Sequence, residues 1–398
     1  MATIGTNSIR VYHVDPYANH DGCMEVFSKH GIYVWLDLDT FNTTVVQTDP
    51  AWTADQFIAF TQVMDVFQKY DNLAGFWIGN EVVNTLAGSP AAPYVKAAVT
   101  DMKAYMAGKK YRPIPIGYSA ADIAQLRPAL QNYLACGDNM NESIDFYGLN
   151  SYEWCGDATY QTSGYVNLQA MSEGYNIPIF FSETGCNVGG ARTFDDQAAV
   201  FGPNMVDTWS GSIIYEWVQE SNDYGLVNYG PNGQIYGDQK PVPIQPDFSN
   251  LAGQWKTLSP SGVAETAYTP SFSPPACPAS TAGAWAVNGN PPLPTLGSKI
   301  VSAAVANNQV IPTETASAGP TPSGFKADTT VASTSYSLHN PTFTSASQLT
   351  SSVTGQTASQ TGSSSPSATT SAKPNGAESL SAFMGAPLAF AAVAFFFA

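Results

Sequence analysis

Two apolar runs each stop at a glutamate: Phe76-Trp77-Ile78-Gly79-Asn80-Glu81 and Ile179-Phe180-Phe181-Ser182-Glu183. A buried strand that ends in a carboxylate delivers it to the rim of a sheet. Two such carboxylates facing each other are the equipment of a glycosidase. One carboxyl, its pKa raised by its surroundings, protonates the departing glycosidic oxygen, and the other stays ionised and attacks the anomeric carbon. In the retaining arrangement the two lie about 5–5.5 Å apart. Taken singly, a glutamate at a strand end reads equally well as an ion-pair partner or a solvated rim residue. The pairing, with Asn80 directly before Glu81, is what points to chemistry. No Gly-x-Ser-x-Gly elbow, His-Glu-x-x-His helix or phosphate-binding glycine loop occurs, and the histidines at 13, 20, 30 and 339 are scattered. Serine hydrolases, zinc proteases and nucleotide enzymes are thereby disfavoured, and neither a metal nor an organic cofactor is implied.

The elements that must position these carboxylates follow from periodicity. Apolar or β-branched runs over 8–12, 33–38, 75–78, 114–117, 146–149, 179–182 and 212–217 alternate with amphipathic stretches, the pattern of βα units around a parallel sheet. The segment 52–70 opens on the cap-like Thr53 and carries Phe57, Phe60, Val63, Met64 and Phe67 at helical spacing; 94–106 and 195–209 read as helices in the same way. Those stripes face a core and carry no chemistry. Seven strands with helices outside are one short of a (β/α)8 TIM-type barrel, and the first strand is the one expected to be lacking. In such barrels the reactive residues sit at the C-terminal ends of the strands.

Composition sets the context. The chain has 398 residues, 44% of them hydrophobic and 12% aromatic, and a formal net charge of −16 with only 15 basic residues. With no Lys/Arg run, nucleic acid and an anionic membrane surface are disfavoured as principal partners, and a neutral substrate fits better. Residues 1–268 hold the aromatic and aliphatic content of a catalytic barrel. Residues 269–374 turn rich in Ser, Thr and Pro and read as a disordered stalk, either O-glycosylated or a bare flexible linker. Residues 375–398 combine the small residues Asn375-Gly376-Ala377, a polar spacer and an apolar tail. That is the pattern of a glycolipid (GPI) anchor signal removed on maturation, with Asn375 as attachment site, whereas a spanning helix needs about 20 apolar residues. The start runs from Met1 into a strand-like segment without a basic or apolar leader, so a truncated N-terminus is expected for a surface protein. Two sequons, at Asn42 and Asn141, offer N-glycan acceptors.

Six ordered motifs sharpen this reading: Ser8-Ile9-Arg10-Val11-Tyr12, Trp35-Leu36-Asp37-Leu38, Gly79-Asn80-Glu81-Val82, Asn150-Ser151-Tyr152-Glu153-Trp154-Cys155-Gly156, Phe181-Ser182-Glu183-Thr184-Gly185-Cys186-Asn187 and Asn222-Asp223-Tyr224-Gly225-Leu226-Val227. In this order they resemble glycoside hydrolase family 72, the β-1,3-glucanosyltransferases of fungal cell walls, from about Gly5 to Tyr268. The resemblance implies Glu81 as acid/base, Glu183 as nucleophile, and Tyr12, Asp37, Asn80, Tyr152 and Tyr215 as groups that contact or orient sugar. Read without it, Tyr152 and Tyr215 are either sugar platforms or amphipathic rim residues, and Asp37 orients a donor, tunes Glu81 or pairs with Arg10. The resemblance also implies disulfides Cys155–Cys186 and Cys136–Cys277, which leaves Cys23 without a partner; the alternative is a set of buried thiols. It implies β-1,3-glucan as donor and acceptor, and a GPI-anchored place at the cell surface. A plain β-1,3-glucanase and an inactive glucan-binding wall glycoprotein are the rival readings.

Overall fold

A computed structural model describes residues 1–230, 240–262 and 272–307. The expected anchor residue Asn375 and most of the expected stalk lie outside them. Seven parallel strands form one sheet in sequence order: β1 (Ser8–Val11), β2 (Tyr33–Asp37), β3 (Leu73–Asn80), β4 (Ile116–Ala121), β5 (Phe146–Asn150), β6 (Ile179–Thr184) and β7 (Trp209–Ile214). The sheet curls into a nearly closed barrel. Its edge strands β1 and β7 come close but share no ladder among the described residues. Helices α1 (Asp21–Lys29), α2 (Ala54–Phe67), α3 (Ala92–Gly108), α4 (Arg127–Ala135), α5 (Tyr165–Ser172) and α6 (Asp195–Val200) fall between successive strands.

Local chemistry explains these elements. Thr53 and Gln56 form a reciprocal capping box that starts α2, satisfying backbone donors that a helix leaves open. All five apolar residues of the stripe expected on 52–70 are buried. The helix expected over 195–209 stops at Val200 instead. Gly202 and Pro203 follow, and proline has no amide hydrogen with which to continue the ladder.

The floor of the barrel is an aromatic plug. Trp35 (β2), Trp77 (β3), Phe146 (β5) and Phe180 (β6) pack ring against ring with centroids 4.8–6.1 Å apart. Glycines facing them make the room. A Cβ on Gly75 would come within 2.7 Å of Trp35, and one on Gly117 within 2.3 Å of Phe146. Four large rings leave no room in so narrow a barrel for side chains at Gly75 and Gly117.

Beyond the barrel, α7 (Asp247–Thr257) buries Leu251 and Trp255 in the same apolar cluster as Ile4. A short ribbon pairs β8 (Val227–Asn228) with β9 (Val242–Pro243). The packed structure then continues past residue 268, where composition suggested a stalk. Trp285, Val287, Leu296, Ile300 and Val301 are buried in the main core, and α8 (Ser298–Asn307) lies on α3. A Cβ on Gly108 would approach Val305 to 2.7 Å, so the absent side chain permits the close seat. Cys136 is bonded to Cys277 and Cys155 to Cys186, while Cys23 is free and exposed. Further ties hold the extension: Ala286 N donates to Ser89 Oγ at 3.0 Å, Leu296 N to Asp101 Oδ2 at 2.8 Å, and buried Lys96 Nζ to Asn290 Oδ1 at 3.5 Å. The sequon residues Asn42 and Asn141 are exposed.

Candidate active site

The strands end in a polar layer directly above the plug, and its hub is a residue the motif reading left unassigned. Arg10 is fully buried, with its guanidinium 4.7 Å from the ring centre of Trp77 below and 4.3 Å from that of Tyr12. Its Nε donates to Asp37 Oδ1 at 2.9 Å and Nη2 to Asp37 Oδ2 at 2.7 Å. Nη2 also reaches Asn80 Oδ1 at 3.0 Å, and Nη1 serves Ser119 Oγ at 3.0 Å and Glu183 Oε1 at 3.4 Å. Every N–H of the guanidinium is thereby used. Burial opposes its charge, but Asp37, Tyr12 and Glu183 together outweigh that and raise the pKa further. Asp37 is only 2% exposed, with both oxygens engaged. Of the roles open to Asp37 from sequence, the structure shows the pairing: both of its oxygens brace Arg10.

Register lines up the next residues. Asn80 stands opposite Ser119, and Asn150 opposite Glu183. The Ser119 and Ser182 hydroxyls converge on Asn150 Oδ1 at 2.8 and 2.7 Å. That fixes the amide so that Asn150 Nδ2 donates once to Asn80 Oδ1 at 3.1 Å and once to Glu81 Oε1 at 2.9 Å. Asn80 Oδ1 thus accepts from both Arg10 and Asn150, so its amide oxygen is occupied.

The two glutamates occupy different surroundings. Glu183, 8% exposed, receives Tyr12 Oη on Oε1 at 2.5 Å, Tyr152 Oη on Oε2 at 2.8 Å, and the longer contact from Arg10. Two phenols and a cation directed at one carboxyl are what a carboxylate in acceptor form requires. Glu81 follows β3 with φ 49°, the left-handed region a non-glycine residue rarely enters. Its amide bonds to Ser119 O at 2.8 Å. Burial first, and the neighbouring Glu183 charge second, push its carboxyl up to about 7 against the pull of the Asn150 hydrogen bond. A carboxyl held at about 7 thus stands beside one that accepts from two phenols and a guanidinium, and the environments differ for two identical side chains.

Around Glu183 lies a tyrosine cluster. Tyr215 sets its ring edge-on to Tyr12 and Tyr152 at 6.4 Å each and to Tyr224 at 5.3 Å, and its hydroxyl accepts from Asn222 Nδ2 at 3.2 Å. The structure thus brings Glu81, Glu183, Tyr12, Asn80, Tyr152 and Tyr215 to one mouth. It adds Arg10, Ser119, Asn150, Ser182 and Tyr224. The signal for Arg10 was present: an arginine in the middle of an apolar strand must have a buried partner.

Comparisons with known proteins identify the family. A family model described as glucanosyltransferase, glycoside hydrolase family 72, matches residues 1–259. The 1,3-beta-glucanosyltransferase gas2 of Schizosaccharomyces pombe is 42% identical over 331 residues, covering 82% of this chain and 69% of that protein. The 1,3-beta-glucanosyltransferase GAS2 of Saccharomyces cerevisiae is 39% identical, covering 72% of this chain but 51% of its own length. The solved structure of Saccharomyces cerevisiae Gas2p with laminaritriose and laminaritetraose superposes with a TM-score of 0.66 at 39% identity, over 71% of this chain and 63% of that one. This chain spans between about half and just over two thirds of these relatives' length. With the family model matching well over half of its residues, the chain belongs to glycoside hydrolase family 72, the glucanosyltransferases.

Proposed function

We propose that the chain is a retaining β-1,3-glucanosyltransferase that cleaves a β-1,3-glucan and passes the new reducing end to the 3-hydroxyl at the non-reducing end of a second glucan. The observation that carries this reading is the split pair: Glu183 gripped by Tyr12 and Tyr152, and Glu81 raised to about 7. In the first step Glu183 attacks the anomeric carbon while Glu81 gives its proton to the leaving oxygen. The Glu81 carboxylate left behind then takes the proton from the acceptor 3-hydroxyl, which attacks the glucosyl-enzyme and frees Glu183. Asn80, its amide oxygen occupied, presents its NH2 to the 2-hydroxyl of the sugar at the reacting centre. Transfer outruns hydrolysis when an acceptor sugar is held where water would stand, and the rings of Tyr215 and Tyr224 beside Glu183 supply a surface for one. Attachment to the cell surface through a GPI anchor at Asn375 and N-glycans on the exposed Asn42 and Asn141 complete the proposal.

The test incubates the chain with a reducing-end-labelled laminari-oligosaccharide of about ten units and sizes the products. Labelled products longer than the donor, absent with Glu183→Gln, support the transferase. Shorter products alone make the protein a glucanase, and an absence of products from folded protein leaves a glucan-binding wall glycoprotein.

A further inference from the structure

The loops that follow β1 and β2 carry a pair of rings that the reaction described above does not use. His13 succeeds Tyr12, and Phe41 lies four residues after Asp37, so both belong to the mouth of the barrel. Phe41 is 79% exposed, the most exposed of the large hydrophobic side chains among the described residues. The His13 ring meets it at 5.7 Å between centroids with an interplanar angle of 63°. Burial lowers the His13 pKa, which keeps the imidazole neutral at neutral pH.

The loop is built to present this ring. Thr43 Oγ1 accepts the Thr40 amide at 2.8 Å, and the Thr43 and Thr44 amides return to Thr40 O at 3.0 Å. That turn throws Phe41 outward while Val45, a few residues on, is buried. The same loop is tied to the one that follows Glu81: Gln47 Oε1 accepts from Asn84 N at 3.2 Å and from Thr85 Oγ1 at 3.0 Å. The phenyl ring therefore sits on a frame fixed to the reacting centre, exposed at a cost in water that nothing within the protein repays.

We propose that Phe41, seated on His13, is a stacking platform for a glucosyl unit of the glucan, one or more residues away from the bond being broken. An uncharged ring suits the apolar C–H face of a pyranose and adds affinity only for chains long enough to reach it. This rests on β-1,3-glucan being the substrate.

The test titrates laminaritriose and laminariheptaose into the Glu183→Gln protein, with and without Phe41→Ala, by calorimetry. Loss of the ring is expected to weaken heptaose roughly three- to tenfold and triose less than twofold, with Phe41→Trp restoring the heptaose value. Equal effects on both sugars, or none on heptaose, overturn the platform. So does an effect that disappears once Asn42→Gln is also introduced, because the ring would then be covering a glycan on its neighbour. Failure of the substrate reading looks different: the unsubstituted protein makes no product from any laminari-oligosaccharide.

Discussion

Each donor around Glu183 does a separable job, and substitutions should separate them. Tyr152→Phe removes one hydrogen bond to Oε2 and keeps the ring, so kcat is expected to fall about ten- to a hundredfold with little change in KM, measured on a soluble laminari-oligosaccharide. Arg10→Lys goes much further despite keeping the charge. A lysine cannot serve Asp37, Asn80, Ser119 and Glu183 at once, so the layer loses its common support. Activity should drop at least a hundredfold and the thermal midpoint should fall as well. Glu81 gives a pH signature. Held at about 7, it is protonated and able to donate below that value and loses its proton above it, so kcat/KM should fall as pH rises through about 7. In Glu81→Gln the residual rate should lose this alkaline limb, which a pH profile with an activated aryl glucoside donor would reveal.

At the scale of elements, the barrel was legible because parallel strands buried on both faces are continuous apolar runs, and each expected run overlaps an observed strand. The carboxylates were legible because they end two of those runs. The polar layer beneath them was not. Arg10, Ser119, Asn150 and Ser182 meet only through a register that spans six strands, β1 to β6, and no local pattern encodes a distance across a barrel. Composition misled at 272–307, where Trp285, Leu296 and Ile300 are spaced too sparsely among Ser, Pro and Ala to show a period, yet each is buried. The glycine-for-ring exchange in the plug makes a prediction for elements. Gly117→Val places side-chain atoms where Phe146 already stands, and the folded yield and melting temperature should fall sharply, whereas the same change at Gly22, in a helix with open space around it, should leave stability unchanged or raise it by roughly 0.5 kcal/mol.

For the whole molecule, buried acids link stability to pH. Glu81 and Glu216 are both lifted by burial from 4.5 to about 7. Between those limits the folded state binds more protons than the unfolded chain, so stability attributable to these groups is present at the acid end and is lost as pH rises toward 7. Denaturant midpoints recorded from pH 4.5 to 7.5 should decline less steeply for Glu216→Gln than for the unsubstituted protein. The bond between Cys136 and Cys277 has a consequence of another kind. It closes a loop that contains β5, β6, β7 and the entire second disulfide, so a protease that nicks the chain anywhere inside that loop leaves one covalent molecule. Such a clipped enzyme should migrate as intact protein on a denaturing gel until a thiol is added, and only then fall into two bands.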